Sequence, residues 1–139
     1  MDQTVKQKIN KLMDQHQVGT LATIRDQKPF TRFMTFSHED LTLYTASDKH
    51  THKVEDINQN PSVHILLGNK DISFDHSYME IEAKAEITDE VSLKEKCWNN
   101  HLHEWLEGPN DPNYVVLKLT PEKVRFFEEA GSNPEEFTL

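Results

Sequence analysis

The sequence predicts an α+β fold, a small antiparallel β-barrel with helices at its margins. Several short segments have the apolar pattern of β-strands, three segments have helical spacing, and the two kinds do not alternate regularly along the chain. A doubly wound parallel sheet requires that alternation, whereas runs of short strands favour an antiparallel barrel or curled sheet. Because 139 residues is the length of one ordinary domain, we expect residues 1–139 to form a single domain.

The first part of the chain is predicted to hold one helix and three strands. Strand-like patterns cover Val18 to Ile24, Pro29 to His38 and Leu41 to Ser47. The short connection before the third strand favours antiparallel pairing, so we expect a meander. The preceding helix is predicted from residues that share one helical face, namely Val5, Ile9, Leu12, Met13 and His16.

A second helix and two further strands follow. The helix begins at Thr51 and is stopped by Asn60-Pro61. Ser62 to Gly68 is rich in apolar residues. The clearest strand in the chain is predicted where apolar and polar residues alternate, with Met79, Ile81, Ala83, Ala85 and Ile87 on one face and Tyr78, Glu80, Glu82, Lys84 and Glu86 on the other.

The last third is predicted to contain a helix, a long strand and a solvated end. Ser92 and Glu95 have capping-box spacing, and the helix ends at Gly108-Pro109. Its apolar stripe predicts contact with the core or with another subunit. Acidic residues from Glu128 onward predict a solvated tail. The stripe consists of Val91, Trp98, Leu102 and Trp105, and the strand runs from Tyr114 to Leu119 and past Pro121 into Val124 to Phe127.

Charge and composition exclude several classes of protein. The formal charge of −9 repels the phosphate backbone of DNA or RNA, so we expect no nucleic-acid partner. The N-terminus lacks the features of a signal peptide and no apolar run approaches the length of a membrane span, which predicts a cytoplasmic protein without membrane contact. Cys97 has no second cysteine with which to form a disulfide or a zinc site, and is interpreted as a small apolar residue beside Trp98.

The segment from Thr31 to Ile57 has the composition of an anion site. Arg32 lies on one strand, and Ser47 ends another shortly before the helix that starts at Thr51. The first backbone N–H groups of a helix lack internal partners and stabilise a phosphate, and Lys53 and Arg32 would add positive charge. The alternative is a capped, solvated helix end that binds nothing.

The order of these elements resembles a known family, the FMN-binding split barrel of pyridoxamine 5'-phosphate oxidase and its relatives, and more narrowly the general stress protein 26 branch. The resemblance covers nearly the whole chain. It is carried by VGTLATI, by the arginine in RFMTF, by the strand ending in TAS, and by THKVEDINQNPSV before the fourth strand. The order and spacing of these pieces are more specific than any piece alone.

The resemblance implies a cofactor, a set of binding residues and an oligomeric state. Arg32 and Lys53 would bind the FMN phosphate, Ser47 and Thr51 would supply hydroxyls, and His52 stands where relatives often have arginine. Such families place the flavin between two protomers of a homodimer, and apolar strand faces carrying Phe30, Phe36 and Tyr44 also predict a dimer. The flavin ring would lie along the backbone of Phe33, Met34 and Thr35, with Tyr78 contributed by the other subunit.

The implied activity is that of an FMN-dependent oxidoreductase acting with an unknown small-molecule electron donor or acceptor. No protein nucleophile or acid–base pair is recognised, so no catalytic residue is predicted. The end of the chain, EEAGSNPEEFTL, lacks the Trp and Arg of true vitamin oxidases, so that activity is not expected. Two alternatives stay open: a flavin-binding or phosphorylated-ligand-binding sensor without turnover, and a haem-binding split barrel. The spacing of the eight histidines predicts no metal site.

Overall fold

The computed structural model of the chain describes residues 3–68 and 76–139. Within these ranges, three α-helices lie at the margins of one eight-stranded antiparallel sheet. In chain order the elements are α1 Gln3–Gln15, β1 Val18–Arg25, β2 Lys28–Thr35, β3 Ser37–Glu39, β4 Thr42–Asp48, α2 His52–Gln59, β5 Ser62–Gly68, β6 Tyr78–Thr88, α3 Val91–Cys97, a 3-10 helix Asn100–Glu104, β7 Tyr114–Phe127 and β8 Glu135–Thr138.

The sheet is curled into an incomplete barrel. Its strand order is β2-β1-β5-β6-β7-β4-β3, and β8 pairs with β7 beside this path. The two ends of the sheet approach each other, since Thr45 Oγ1 on β4 donates a hydrogen bond of 2.8 Å to the carbonyl oxygen of Thr35 on β2. The predicted α+β fold with an antiparallel split barrel is confirmed.

The predicted three-strand meander forms only as two separate antiparallel hairpins. The hairpins β1–β2 and β3–β4 both form, but β2 and β3 lie at opposite ends of the sheet. The chain passes from one end of the sheet to the other at Phe36. The side chain of Phe36 is buried, and its N–H donates to the carbonyl of Gln17 at 2.6 Å. Burial of this one aromatic ring therefore divides the predicted strand Pro29 to His38 into two.

The main core lies on the concave face of the sheet and is closed by α1 and α2. The predicted apolar face of α1 is confirmed, because Ile9, Leu12 and Met13 are all buried. The predicted alternation of β6 is confirmed too, with Met79 and Ile81 fully buried. The other members include Leu21, Leu43, Val54, Ile57, Ile65, Leu67, Leu117, Leu119 and Val124.

The third predicted helix is shorter than expected. It begins at Val91 and ends at Cys97, because Trp98 adopts an extended conformation, with φ −68° and ψ 137°. The predicted capping box does not form: Ser92 lies inside the helix, and its hydroxyl donates to the Glu90 carboxylate at 2.9 Å. A 3-10 helix follows, and Asn99 caps it by accepting from the His101 N–H at 3.0 Å.

These two short helices cover the convex face of β4 and β7 with a second apolar cluster. Cys97 packs there, as expected of a small apolar residue, and Trp98 lies against the same cluster. Trp105 does not, since it is 67% exposed. The buried members of the cluster are Tyr44, Cys97, Leu102, Leu106, Tyr114 and Val116.

The acidic tail is largely exposed to solvent, as predicted, but part of it is also paired with the sheet. Residues Glu135–Thr138 form β8, which pairs with β7 through partners such as Phe137 and Val124. Arg125 and Lys123 on β7 both form ion pairs with Glu136, and these pairs hold the tail against β7. In the described part of the chain no helix is long and apolar enough to cross a membrane.

Candidate functional site

A cleft of about 1170 Å³ opens between the two ends of the curled sheet. Its walls are β2, β4, the start of α2 and the segment containing the 3-10 helix. Pockets for a single drug-sized ligand have about 300–1,000 Å³, so this cleft is large enough for a ligand of nucleotide size. The curling of the sheet brings β2 and β4 together here, although they are not neighbours in the strand order.

The turn between β4 and α2 presents hydroxyl groups at the start of a helix. Thr51 occupies the predicted N-cap position, but its side chain makes no capping hydrogen bond. Its hydroxyl instead donates to the carbonyl of Asp48 at 2.9 Å and lies 3.2 Å from the hydroxyl of Ser47. The first N–H groups of α2 are therefore not capped by this side chain, and N–H groups in that position bind anions.

Arg32 reaches from β2 toward a buried carboxylate without fully pairing with it. Its Nη1 donates to the carbonyl of Leu21 at 3.2 Å and to Thr23 Oγ1 at 2.9 Å. Its Nη2 lies 3.9 Å from Asp56 Oδ2, which is too long for a hydrogen bond. Asp56 is held instead by Arg25, through contacts of 2.9 and 3.1 Å.

Lys53 is the second cation at this end of the cleft. Burial lowers its pKa, the charge of Arg32 lowers it further, and Asp48 partly opposes both effects. Burial also lowers the pKa of Arg32. Among the described residues no carboxylate lies within 4.0 Å of Lys53, so two repelling cations share a partly desolvated site. A bound anion would relieve that repulsion.

Seven of the nine residues predicted to bind the cofactor line this one cleft. They are Arg32, Phe33, Met34, Thr35, Ser47, Thr51 and Lys53. The structure thus brings together both strands and the helix start that the sequence singled out. Their roles in binding stay predictions.

His52 and Tyr78 lie outside the lining of the cleft. The His52 side chain is 80% exposed and its Nδ1 lies 3.4 Å from Glu55 of the same helix. Tyr78 stacks on Phe127 with 4.6 Å between ring centroids. A Tyr78 that contacts the cofactor of another subunit would also lie outside its own cleft, so both assignments stay predictions.

The opposite end of the cleft was not predicted from the sequence. It is formed by residues around the break at Trp98, which the helical interpretation assigned to a continuous apolar stripe. Adjacent Asn99 and Asn100 were the available signal, because asparagine favours helix N-caps over helix interiors. The lining residues from this segment are Lys96, Cys97, Trp98, Asn99, His101, Leu102, Glu104, Trp105 and Leu106.

Neither the histidines nor the cysteine form a reactive or metal-binding cluster in residues 3–68 and 76–139. No group of three potential ligands is close enough to hold a metal ion there. His38 in the cleft contacts Asp14 at 2.6 Å and the carbonyl of Asp40 at 2.8 Å. Burial raises the pKa of the Cys97 thiol, which therefore has less thiolate character than a free cysteine.

Comparison with known proteins gives a consistent family assignment. Residues 5–128 match the profile of the family described as pyridoxamine 5'-phosphate oxidase. General stress protein 26 of Bacillus subtilis (strain 168) is 43% identical over 137 residues, which are 99% of this chain and 98% of that protein. The crystal structure of General Stress Protein 26 from Bacillus anthracis str. Sterne is 40% identical, with a TM-score of 0.87, and the match covers 97% of this chain and 98% of that one.

More distant structures share the fold alone and differ in the ligand they bind. A FAD-binding protein from Mesorhizobium loti is 21% identical, with a TM-score of 0.70 over 85% of this chain and 90% of that one. A haem-binding protein from Mycobacterium smegmatis is 14% identical, with a TM-score of 0.79 over 96% of this chain and 57% of that one. The fold therefore does not determine the cofactor, which has to be argued from the residues of the cleft.

Proposed function

The chain belongs to the pyridoxamine 5'-phosphate oxidase family, and we propose that it forms a single FMN-binding split-barrel domain that acts as a flavin-dependent oxidoreductase. The observation that carries this proposal is the pair of cations at one end of the cleft. Arg32 and Lys53 repel each other, and neither has a fully engaged carboxylate partner in the described part of the chain. A phosphate monoester there gains charge-assisted hydrogen bonds and removes the repulsion.

The edge of β2 supports the placement of the flavin ring. β2 is the terminal strand of the sheet and pairs only with β1 among the described strands, so its other edge has no strand partner. The ring of FMN has a polar edge that needs N–H and C=O partners, which backbone at Phe33, Met34 and Thr35 can supply. When bound, FMN supplies the hydride and electron chemistry. The protein then contributes binding, orientation and exclusion of water, and no side chain is assigned a catalytic role.

Binding of FMN is tested by titration of the purified protein, followed by absorbance and by quenching of tryptophan fluorescence. We expect Arg32→Gln and Lys53→Met each to weaken binding roughly tenfold or more, since each removes a charge-assisted contact worth about 1.5–3 kcal/mol. Lys49→Met is the matched control, because Lys49 precedes the same helix but is exposed and outside the cleft lining. Wild-type protein that stays colourless, or equal affinities for all four proteins, would refute the phosphate site.

Turnover is tested with the loaded protein in the absence of oxygen. We expect NADH or NADPH to reduce the bound flavin faster than free FMN under the same conditions. Equal rates would refute the oxidoreductase and favour a flavin-binding sensor. A protein that binds no flavin but shows a Soret band after addition of haem would favour the haem-binding alternative. The proposal includes the cytoplasmic location that the sequence predicts.

The proposal also includes a homodimer, for a reason that only partly matches the one the sequence suggested. Phe30 is 37% exposed, as expected, but Phe36 and Tyr44 are only 4% and 6% exposed in the single chain and do not need a partner for cover. A contiguous exposed apolar face lies on β2, β1 and β5, where Phe33 and Leu66 are 79% and 41% exposed. Both pair with Thr20, and directly paired residues share one face of a sheet.

Sedimentation equilibrium at micromolar concentration checks the dimer. We expect a dimeric wild type and a predominantly monomeric Leu66→Glu variant, because a buried, unpaired charge at an interface costs several kcal/mol. Val91→Glu provides a matched control, since Val91 is 68% exposed on α3, away from this face, and should leave the dimer intact. A wild-type protein that sediments as a monomer would rule the dimer out.

A further inference from the structure

We propose that Thr23 and Asp56 are positioning residues that hold Arg32 in the orientation needed to bind a phosphate monoester, and so make the site select FMN over riboflavin. This inference rests on the proposed FMN site. Neither residue lines the cleft, and both are buried, with Thr23 0% and Asp56 4% exposed. They act on the ligand only through Arg32.

The hydroxyl of Thr23 connects the two charged groups. It donates its one hydrogen to Asp56 Oδ2 at 2.8 Å, so it can only accept from Arg32 Nη1, at 2.9 Å. The carboxylate thus sets the direction of the hydroxyl, and the hydroxyl sets the direction of the guanidinium. The carbonyl of Leu21 accepts from the same Nη1 at 3.2 Å and fixes the group at a second point.

Arg25 prevents Asp56 from taking Arg32 as its own ion-pair partner. Arg25 uses Nε and Nη2 to bind both oxygens of the carboxylate, at 2.9 and 3.1 Å. Its guanidinium also lies 4.2 Å from the centre of the Phe30 ring, which holds it in place. Asp56 is therefore already paired, and Arg32 Nη2 stays 3.9 Å from it.

Two nitrogens of Arg32, Nε and Nη2, are left to bind a ligand. Nη1 donates both of the hydrogen bonds that Arg32 makes within residues 3–68 and 76–139, whereas Nε and Nη2 donate none there. Nε and Nη2 are the pair of donors that Arg25 uses to bind a carboxylate side-on. The same pair on Arg32 can bind two oxygens of a phosphate, a geometry that lysine cannot reproduce.

The test compares the affinities for FMN and riboflavin, which differ only in the phosphate. Thr23→Val keeps the shape of the buried side chain and removes the hydroxyl. We expect the affinity of this variant for FMN to fall about tenfold, because a misoriented Arg32 loses one charge-assisted hydrogen bond to the phosphate. Its affinity for riboflavin should not change. Thr23→Ser should retain the preference of the wild type, because it keeps the hydroxyl.

Thr45→Val is the matched control. Thr45 is also a buried threonine, 2% exposed, but its hydroxyl donates to the carbonyl of Thr35 and not toward Arg32. A change there should alter the affinities for FMN and riboflavin by the same factor. If Thr23→Val does not fold, Arg32→Lys replaces it, since lysine keeps the charge but lacks the oriented pair of donors, and it should also lose the preference for FMN.

Stabilisation against heat by inorganic phosphate separates this inference from the proposed function. Protection of the wild type that is lost in Thr23→Val supports the positioning role even if flavin does not bind, an outcome that would refute only the flavin assignment. Equal protection of both proteins, or an equal loss of affinity for FMN and riboflavin in Thr23→Val, would overturn the positioning role. A wild type that binds neither phosphate nor FMN would overturn both.

Discussion

Gly19→Ala should lower the free energy of unfolding by about 3 kcal/mol, and in a marginally stable domain it should lower the yield of folded protein. Gly19 lies on β1 and faces the core. A Cβ atom added there would lie 2.4 Å from the carbonyl oxygen of Leu66 and 2.8 Å from Leu67 Cδ1, both on β5. Because the nearer atom belongs to the backbone of a paired strand, the clash cannot be relieved by rotation of a side chain.

The strain should extend from the sheet to the cleft. The same Cβ would lie 3.3 Å from the ring of Phe36, the residue at which the chain crosses from β2 to β3. Urea denaturation followed by circular dichroism measures the loss. Gly108→Ala is the control, because nothing lies within 4 Å of its added Cβ, and it should change stability by less than about 0.5 kcal/mol. A Gly19→Ala variant as stable as that control would contradict the close approach of β1 and β5.

Asp56→Ala should have the second largest effect, a loss of about 2 kcal/mol of stability near neutral pH. The change leaves the hydroxyl of Thr23 without its acceptor at a fully buried position, and an unsatisfied buried donor costs about 1–3 kcal/mol. It also frees Arg25, but that side chain is one-third exposed and can be rehydrated, so we assign no further loss to it.

The effect of Asp56 should depend on pH with a definite sign. Hydrogen bonding from Arg25 is the main cause that holds the pKa of the Asp56 carboxyl below its ordinary value, and burial opposes it. The stabilisation is therefore complete above the pKa of the unfolded chain, about 3.9, and is lost as the pH falls through the lower pKa of the folded state. Urea midpoints for wild type and Asp56→Ala should differ most above about pH 5 and converge in stronger acid. A difference that stays constant down to pH 2 would contradict this role.

Several features of the fold could be predicted because they depend on patterns that are local in sequence. The alternation of Met79, Ile81 and Ala83 predicts a half-buried strand whatever its neighbours are, and Asn60-Pro61 ends a helix in most contexts. The residues of the proposed anion site were recognisable for a related reason. Ser47 and Lys53 lie near the ends of elements that the local patterns identify, and Arg32 lies within a recognisable strand, so their approach to one cleft could be predicted.

Other features depend on contacts between residues far apart in the chain, and local pattern could not reveal them. The division of the meander into two hairpins was not predicted: it occurs at Phe36, which is buried in the core, and a strand pattern does not show where an aromatic residue in it will pack. The pairing of the tail was not predicted because β8 is stabilised by its contacts with β7 and by the contacts of Glu136 with Lys123 and Arg125, which the acidic composition of the tail does not reveal. The sequence correctly placed Thr51 just before the helix. Its hydroxyl, however, donates to the carbonyl of Asp48, earlier in the chain, and does not cap the helix.

The sequence by itself determined the class of fold and which strand residues, helix start and cations would line one cleft, because these follow from periodicity, capping residues and charge. Only the tertiary structure decided how those cations are oriented. Thr23 and Asp56 are 33 residues apart and look unremarkable in sequence, but folding buries them together and joins them by a hydrogen bond of 2.8 Å. Burial makes that bond directional and costly to break, and this sets which nitrogens of Arg32 remain for a ligand.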